Sequence, residues 1–247
     1  MTRLSVNLNR VALLRNQRDC GYPSVTGAAE SVLKAGARGI TVHPRPDERH
    51  IRKSDIPMLS TFLGGWFEKG VEFNIEGYPD EDFLDLVCGN RCDQVTLVPD
   101  APDQKTSDHG WDIPGNRAFL EKVCTRLKST GRRVSLFIDP DPEAAKLAAS
   151  VGADRVELFT GPYAFSDAPI EAYVRTAAAA SGAGLGVNAG HDLNLSNLAR
   201  FIAEIPECAE VSIGHAITAD ALEYGWNGAV AAYLAALEYG HKAAKAP

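Results

Sequence analysis

An alternation constrains this chain more than any other feature. Short runs rich in β-branched and apolar residues recur along its length, and a segment with helical spacing follows each. The β-rich runs are 4–8, 39–43, 71–76, 94–99, 133–139, 155–160, 185–190 and 209–215. The helical segments are 25–36, 54–69, 80–90, 115–130, 142–151, 167–182, 194–204 and 218–240. Asp80, Asp141 and Asn194 stand where helices should begin, and Gly36, Gly131 and Gly152 where they should stop. Strands that read apolar on both faces, each separated by one helix, imply a parallel sheet covered by helices. Eight such units in 247 residues predict one α/β domain over 1–247, a closed (β/α)8 TIM barrel. An open dinucleotide-binding sheet would need a Gly-rich turn after its first strand, and VNLNRVALLRNQR has no glycine. The glycine-dense SGAGLGVNAGHD (181–192) lacks the GxGxxG spacing and reads as helix stop and barrel packing.

Charge narrows the partners. With 25 Lys+Arg against 32 Asp+Glu the chain carries a formal −7, so no global basic field exists to hold nucleic acid or an anionic membrane. No stretch approaches the roughly 18 consecutive apolar residues of a membrane span, and MTRLSVNLNR has no apolar signal core. A cytoplasmic protein is expected. Its five cysteines are an odd number in apolar segments, which reads as reduced structural thiols. Cys88 and Cys92 are the only close pair, with no second pair at metal spacing.

Barrels of this kind handle ligands at the C-terminal ends of their strands. There this sequence places Asn7 and Asn9, His43, Glu76, Asp139, Glu157, Asn188 with His191 just beyond, and His215. Taken singly these read as solvated caps. As a set, His43, Glu76, Glu157, His191 and His215 provide groups that titrate near neutrality around one funnel, as multistep proton transfer requires. The connection HPRPDERHIRKSD (43–55) and the arginines Arg15 and Arg18 form a local cation cluster suited to a phosphorylated small molecule. The alternative is a solvated charged loop. The Gly214–His215 turn before the last helix offers backbone N–H groups to a second phosphate. No lysine ends a strand, which disfavours Schiff-base chemistry, and scattered His and Glu make a metal unnecessary.

The segments VNLNRVALLRNQR (6–18), GITVHPRPDERHI (39–51), FNIEGYPDEDFLDL (73–86), VTLVPD (95–100), VSLFIDPD (134–141), VELFTGPYA (156–164), VNAGHDL (187–193) and IGHAI (213–217) resemble the pyridoxine 5′-phosphate synthase family of vitamin B6 biosynthesis, over almost the whole chain. The resemblance implies a (β/α)8 barrel assembled as a homo-octamer. It also implies a ring-closing condensation of 3-amino-2-oxopropyl phosphate with 1-deoxy-D-xylulose 5-phosphate, giving pyridoxine 5′-phosphate, phosphate and water. No cofactor is implied, because the amine of one substrate forms the imine with the ketone of the other.

By matching motif, His43 and Glu76 would accept protons, His191 would donate one, and Glu157 would stabilise a transition state. Asn9, Arg10, Arg45, His50 and Thr106 would hold the deoxyxylulose phosphate. Asn7, Arg18, His191 and Asp192 would hold the aminoketone phosphate, and Gly214 with His215 the intermediate or product phosphate. The stretch 100–112 is long enough to act as a lid. Two departures stand out: the family form carries an aspartate–histidine pair where this chain has Asn9 and Arg10, and a glycine where it has Asp192. A single-substrate isomerase of a phosphorylated ketose and a non-catalytic binder of a phosphorylated B6 compound are the competing readings.

Overall fold

A computed structural model describes residues 1–18, 20–101, 104, 106–165 and 168–245. Its strands are β1 (Arg3–Asn7), β2 (Gly39–Val42), β3 (Glu72–Gly77), β4 (Gln94–Leu97), β5 (Arg133–Ile138), β6 (Arg155–Phe159), β7 (Gly186–Gly190) and β8 (Cys208–Ile213). Each pairs in parallel with the next in chain order, and β8 returns to β1 with Leu4 opposite Val211, so the sheet closes into a barrel. Around it lie α1 (Asn9–Arg15), α2 (Val25–Lys34), α3 (Asp55–Phe62), α4 (Gly64–Phe67), α5 (Glu81–Gly89), α6 (Arg117–Ser129), α7 (Pro142–Ser150), α8 (Gly161–Ala164), α9 (Ile170–Gly182), α10 (Leu198–Glu204) and α11 (His215–Ala243).

Local chemistry accounts for most boundaries. The carboxylates of Asp80 and Asp141 cap α5 and α7 by accepting from the N–H groups of Phe83 and Glu143. Gly36, Gly131 and Gly152 leave their helices at positive φ (114°, 80° and 90°), which glycine adopts without strain. Asn194 does not cap a helix. Its side chain accepts from the backbone N–H and the hydroxyl of Ser196, which closes a turn and delays α10 until Leu198, with Asn197 in the cap position. The expected helix over 54–69 is broken into α3 and α4 at Leu63. The expected start at 167 lies outside the described residues, and α9 begins at Ile170. The last helix starts earlier than its spacing indicates, at His215, with Gly214 in the cap position, and it kinks at Gly225 (φ 67°).

The expectation of strands apolar on both faces is corrected in the barrel interior. Side chains alternate along a strand. The outward set, including Leu4, Ile40, Phe73, Val95, Leu136, Val156, Val187 and Val211, packs into the main hydrophobic core beneath the helices. The inward set is largely polar, and hydrogen bonds link it across β1 to β4 and on to β7 and β6. Ser5 meets Thr41 at 2.7 Å, Asn74 donates to Thr41 at 3.5 Å, and Thr96 donates to Asn74 at 3.0 Å. Gln94 donates to Thr96 at 3.4 Å and accepts from Asn188 at 3.3 Å, and Arg155 donates to Asn188 at 2.7 Å. Serine, threonine and asparagine in a short strand are silent in a periodicity count, yet here they fill the space that Val, Ile and Leu fill in most barrels of this kind.

Candidate active site

The C-terminal mouth of the barrel holds a cavity of about 440 Å3. Asn7, Asn9, Arg10, His43, Arg45, His50, Glu76, Thr106, Glu157, His191, Asp192, Gly214 and His215 all line it. Of the residues that the family resemblance assigns to catalysis or substrate binding, Arg18 does not: it stands exposed after α1. Asp139 is exposed beyond β5, and Asn188 is drawn into the belt of interior hydrogen bonds, so neither strand-end residue faces the cavity. Only a part of the stretch 100–112 is described, since 102, 103 and 105 fall outside the described residues.

The expected cation cluster separates into distinct roles. Arg15 is buried, grips Asp55 through two bonds at 2.5 and 2.9 Å and donates to the His50 carbonyl, so it fixes the loop and does not face a ligand. Lys53 pairs with Asp82 on the surface, and Arg52 is exposed. Arg10, Arg45 and Arg49 face the cavity. Arg45 is neutralised by the Asp100 carboxylate, which also accepts from Ser107 at 2.8 Å, and both Arg45 and Arg49 donate to the Gln104 carbonyl. Asp100 and Ser107 were missed in the sequence reading. The signal was there: Asp100 follows the end of the one strand, β4, to which no polar rim residue had been assigned.

Two asparagines from the first βα turn set the geometry of the left-hand wall. Asn7 accepts from the Asn9 N–H at 2.9 Å and donates to Glu76 at 3.4 Å. The Asn9 side chain accepts from the His43 N–H at 2.9 Å and so anchors the loop bearing that histidine. On the opposite wall the His191 carbonyl accepts from Thr160 at 2.5 Å, and the Phe159 ring stands edge-on to the imidazole at 5.3 Å. His191 Nε2 lies 3.2 Å from Thr106 Oγ1, and its Nδ1 lies 3.1 Å from Asp192.

Burial sets the protonation of these groups. Desolvation, with Arg45 beside it, holds His43 well below the ordinary histidine range. The same causes hold His50 at about 4, and its Nδ1 accepts from the Ile51 N–H, so the neutral ring keeps its proton on Nε2. Burial raises Glu76 well above the carboxylate range, helped by the Glu157 charge, and raises Glu157 to about 7 against the pull of His191. Neutral imidazoles, a carboxyl raised to about 7 and a second raised further above the ordinary range by burial and its neighbour's charge therefore share one cavity, which suits acid/base work at several atoms of a bound molecule. The cysteines are unpaired thiols, three of them buried in the core.

Residues 4–239 match the family described as "Pyridoxal phosphate biosynthesis protein PdxJ". The chain belongs to the PdxJ family. Among curated PdxJ relatives named pyridoxine 5′-phosphate synthase, one from Mesorhizobium japonicum is 54% identical over 95% of this chain and 98% of its own length. Another from Chelativorans sp. is 55% identical over 96% and 98%. Solved structures outside that similarity share the fold alone. Tryptophan synthase subunit alpha from Legionella pneumophila superposes with a TM-score of 0.64 at 14% identity, covering 96% of this chain and 93% of that one. The PdxJ chain and this barrel thus have architecture in common, and a shared fold at this identity carries no role across.

Proposed function

We propose that this chain is a pyridoxine 5′-phosphate synthase, condensing 3-amino-2-oxopropyl phosphate with 1-deoxy-D-xylulose 5-phosphate to pyridoxine 5′-phosphate, phosphate and water. The observation that carries the reading is the convergence of His43, Glu76, Glu157 and His191 on one cavity bordered by Arg10, Arg45 and Arg49. The amine of the first substrate attacks the ketone of the second, so no enzyme nucleophile is needed. What the protein supplies is proton traffic and charge. His43, kept neutral by burial, is a base for carbon- and oxygen-bound protons. Glu157, raised to about 7, holds or releases a proton close to neutral pH as water and phosphate leave, and burial raises Glu76 beside it so that it too can hold a proton. His191 donates from the opposite wall, beside Thr106. The arginines and the Gly214–His215 start of α11 bind phosphate groups, and Asn7, Asn9 and His50 orient the two substrates, with Asp192 against the His191 ring.

The reading extends to a homo-octamer acting in the cytoplasm, with residues 1–247 as one domain. In support of subunit contacts, Leu222, Tyr224 and Tyr239 of α11 are exposed apolar side chains, and no helix among the described residues is long and apolar enough to cross a membrane.

The test is a two-substrate assay following pyridoxine 5′-phosphate and released phosphate, with each substrate omitted in turn. Product only when both are present, abolished in His43→Ala and Glu76→Gln, supports the synthase. Turnover of one substrate alone supports an isomerase, and binding without turnover supports a binding protein.

A further inference from the structure

The departure at Asp192 has a structural meaning that its place in a substrate-binding list does not convey. His191 and Asp192 both lie in the left-handed region, with φ of 88° and 59°. Glycine adopts that backbone freely and other residues do so at a cost, so the turn at 191–192 is held by its contacts. The conformation brings the Asp192 carboxylate back onto the preceding ring, with Oδ2 3.1 Å from His191 Nδ1. A carboxylate only accepts hydrogen bonds, so Nδ1 must carry the proton of this contact. The hydrogen bond from His191 holds the Asp192 carboxyl below its usual range, and His215 and Arg10 across the cavity act in the same direction.

The ring has little freedom to turn its other edge to Asp192. Its backbone carbonyl accepts from Thr160, while Phe159 and Phe137 flank the imidazole at 5.3 and 6.1 Å. The Asp192 carbonyl in turn accepts from the side-chain amides of Asn194 and Asn197 at 3.2 and 3.3 Å, which pins the turn that bears the carboxylate. His50 provides the contrast within the same cavity. Its Nδ1 accepts from the Ile51 N–H, which places the proton of that neutral ring on Nε2.

We propose that Asp192 is a positioning residue for His191: its carboxylate fixes the Nδ1-protonated form of the ring and aims Nε2, beside Thr106, into the cavity as the nitrogen that exchanges protons with substrate. The catalytic consequence rests on the synthase reading, in which His191 is the proton donor. The Nδ1-protonated ring first takes a second proton at Nε2, the Asp192 carboxylate facing the resulting imidazolium, and that Nε2 proton is the one passed to substrate, which returns the ring to its Nδ1-protonated form. The tautomer itself does not depend on that reading.

The test combines a spectroscopic and a kinetic readout on Asp192→Asn and Asp192→Gly. The glycine variant relaxes the left-handed backbone and keeps the experiment informative if the asparagine variant folds poorly. Long-range 1H–15N correlation of the histidine rings at about pH 8 should find the proton on Nδ1 in His191 and on Nε2 in His50 of the unmodified protein. The glycine variant, which leaves no acceptor on Nδ1, should shift His191 toward the Nε2-protonated form, the asparagine variant less so because its amide oxygen still accepts, and both should leave His50 unchanged. In the two-substrate assay kcat should fall about 10- to 100-fold, with KM for either substrate changed by no more than about threefold. The proposal is overturned if His191 already carries its proton on Nε2, or if its tautomer is the same with and without the carboxylate. It is equally overturned if the whole loss lies in KM for the aminoketone phosphate, which would make Asp192 a substrate ligand. Should the protein form no pyridoxine 5′-phosphate at all, the synthase reading fails and the nitrogen spectra still decide the role of Asp192.

Discussion

Replacing Glu157 with glutamine should make the protein more stable, and by an amount that depends on pH. Glu157 is buried on β6, and its carboxyl is raised from an ordinary 4.5 to about 7, chiefly by desolvation. Between those values the folded protein holds a proton that the unfolded chain has released. Stability therefore falls as pH rises through this window, and the full cost stands above it. At about 1.4 kcal/mol per tenfold change in proton affinity the cost is about 3 kcal/mol, and a group this buried is not screened by solvent. Glu76 is raised partly by the Glu157 charge, so relieving that charge adds in the same direction. Urea unfolding of both proteins at one protein concentration, at about pH 4 and about pH 8, reads the difference directly. Glu157→Gln should match the unmodified protein at the lower pH and exceed it by about 3 kcal/mol at the higher one. Glu210 is also raised in part by the Glu157 charge and so adds in the same direction, while groups that do not sense Glu157 cancel in the comparison. A difference that is the same at both pH values, or a glutamine variant that is weaker at high pH, refutes the argument that an ionised Glu157 is held against its solvation.

Asp100→Ala should cost about 3–5 kcal/mol in urea or thermal unfolding, because it leaves the buried Arg45 cation without its partner; a loss below about 1 kcal/mol would mean that the pair is solvated. The His50 ring should remain neutral, with its proton on Nε2, down to about pH 5, and nitrogen spectra showing protonation near pH 6.5 would contradict its burial beside Arg45. Gly190→Ala should lower kcat at least about 100-fold with the fold intact by circular dichroism, since a methyl group at 190 falls on the Glu157 carboxylate; near-normal turnover would show that Glu157 can move without loss.

The alternation of β-rich and helical segments was enough to read the closed barrel, since each strand's outward face, such as Ile40 or Val156, is strongly apolar and each helix buries one stripe. The inward faces were not legible, because Ser5, Thr41, Asn74 and Thr96 find their partners only once neighbouring strands set the register. The short helices α1 and α8 were missed for a related reason: at 7 and 4 residues they have too few turns to show a period. At the rim, strand ends marked His43, Glu76, Glu157 and His191 directly. The local charge count could not separate Arg15, which is spent on Asp55, from Arg10 and Arg45, which face the cavity, because pairing is a property of the folded loop. The first-turn asparagines needed the structure too: Asn9 holds the His43 backbone, a contact across 34 positions of sequence.

The polar lining of the barrel also governs how its interior can change over time. A methylene lost from a hydrocarbon core leaves a void that neighbours partly close. Removing one member of a hydrogen-bonded ring instead strands a buried donor or acceptor on the adjoining strand. Thr41 serves both Ser5 and Asn74, and Gln94 serves Thr96, Arg133 and Asn188. A lone replacement at such a node harms several partners at once, whereas a second replacement on the neighbouring strand can restore the match. Tolerated variation in this interior is therefore expected to come as linked pairs on adjacent strands, with strong epistasis inside the barrel and near-independent drift among the apolar residues just outside it.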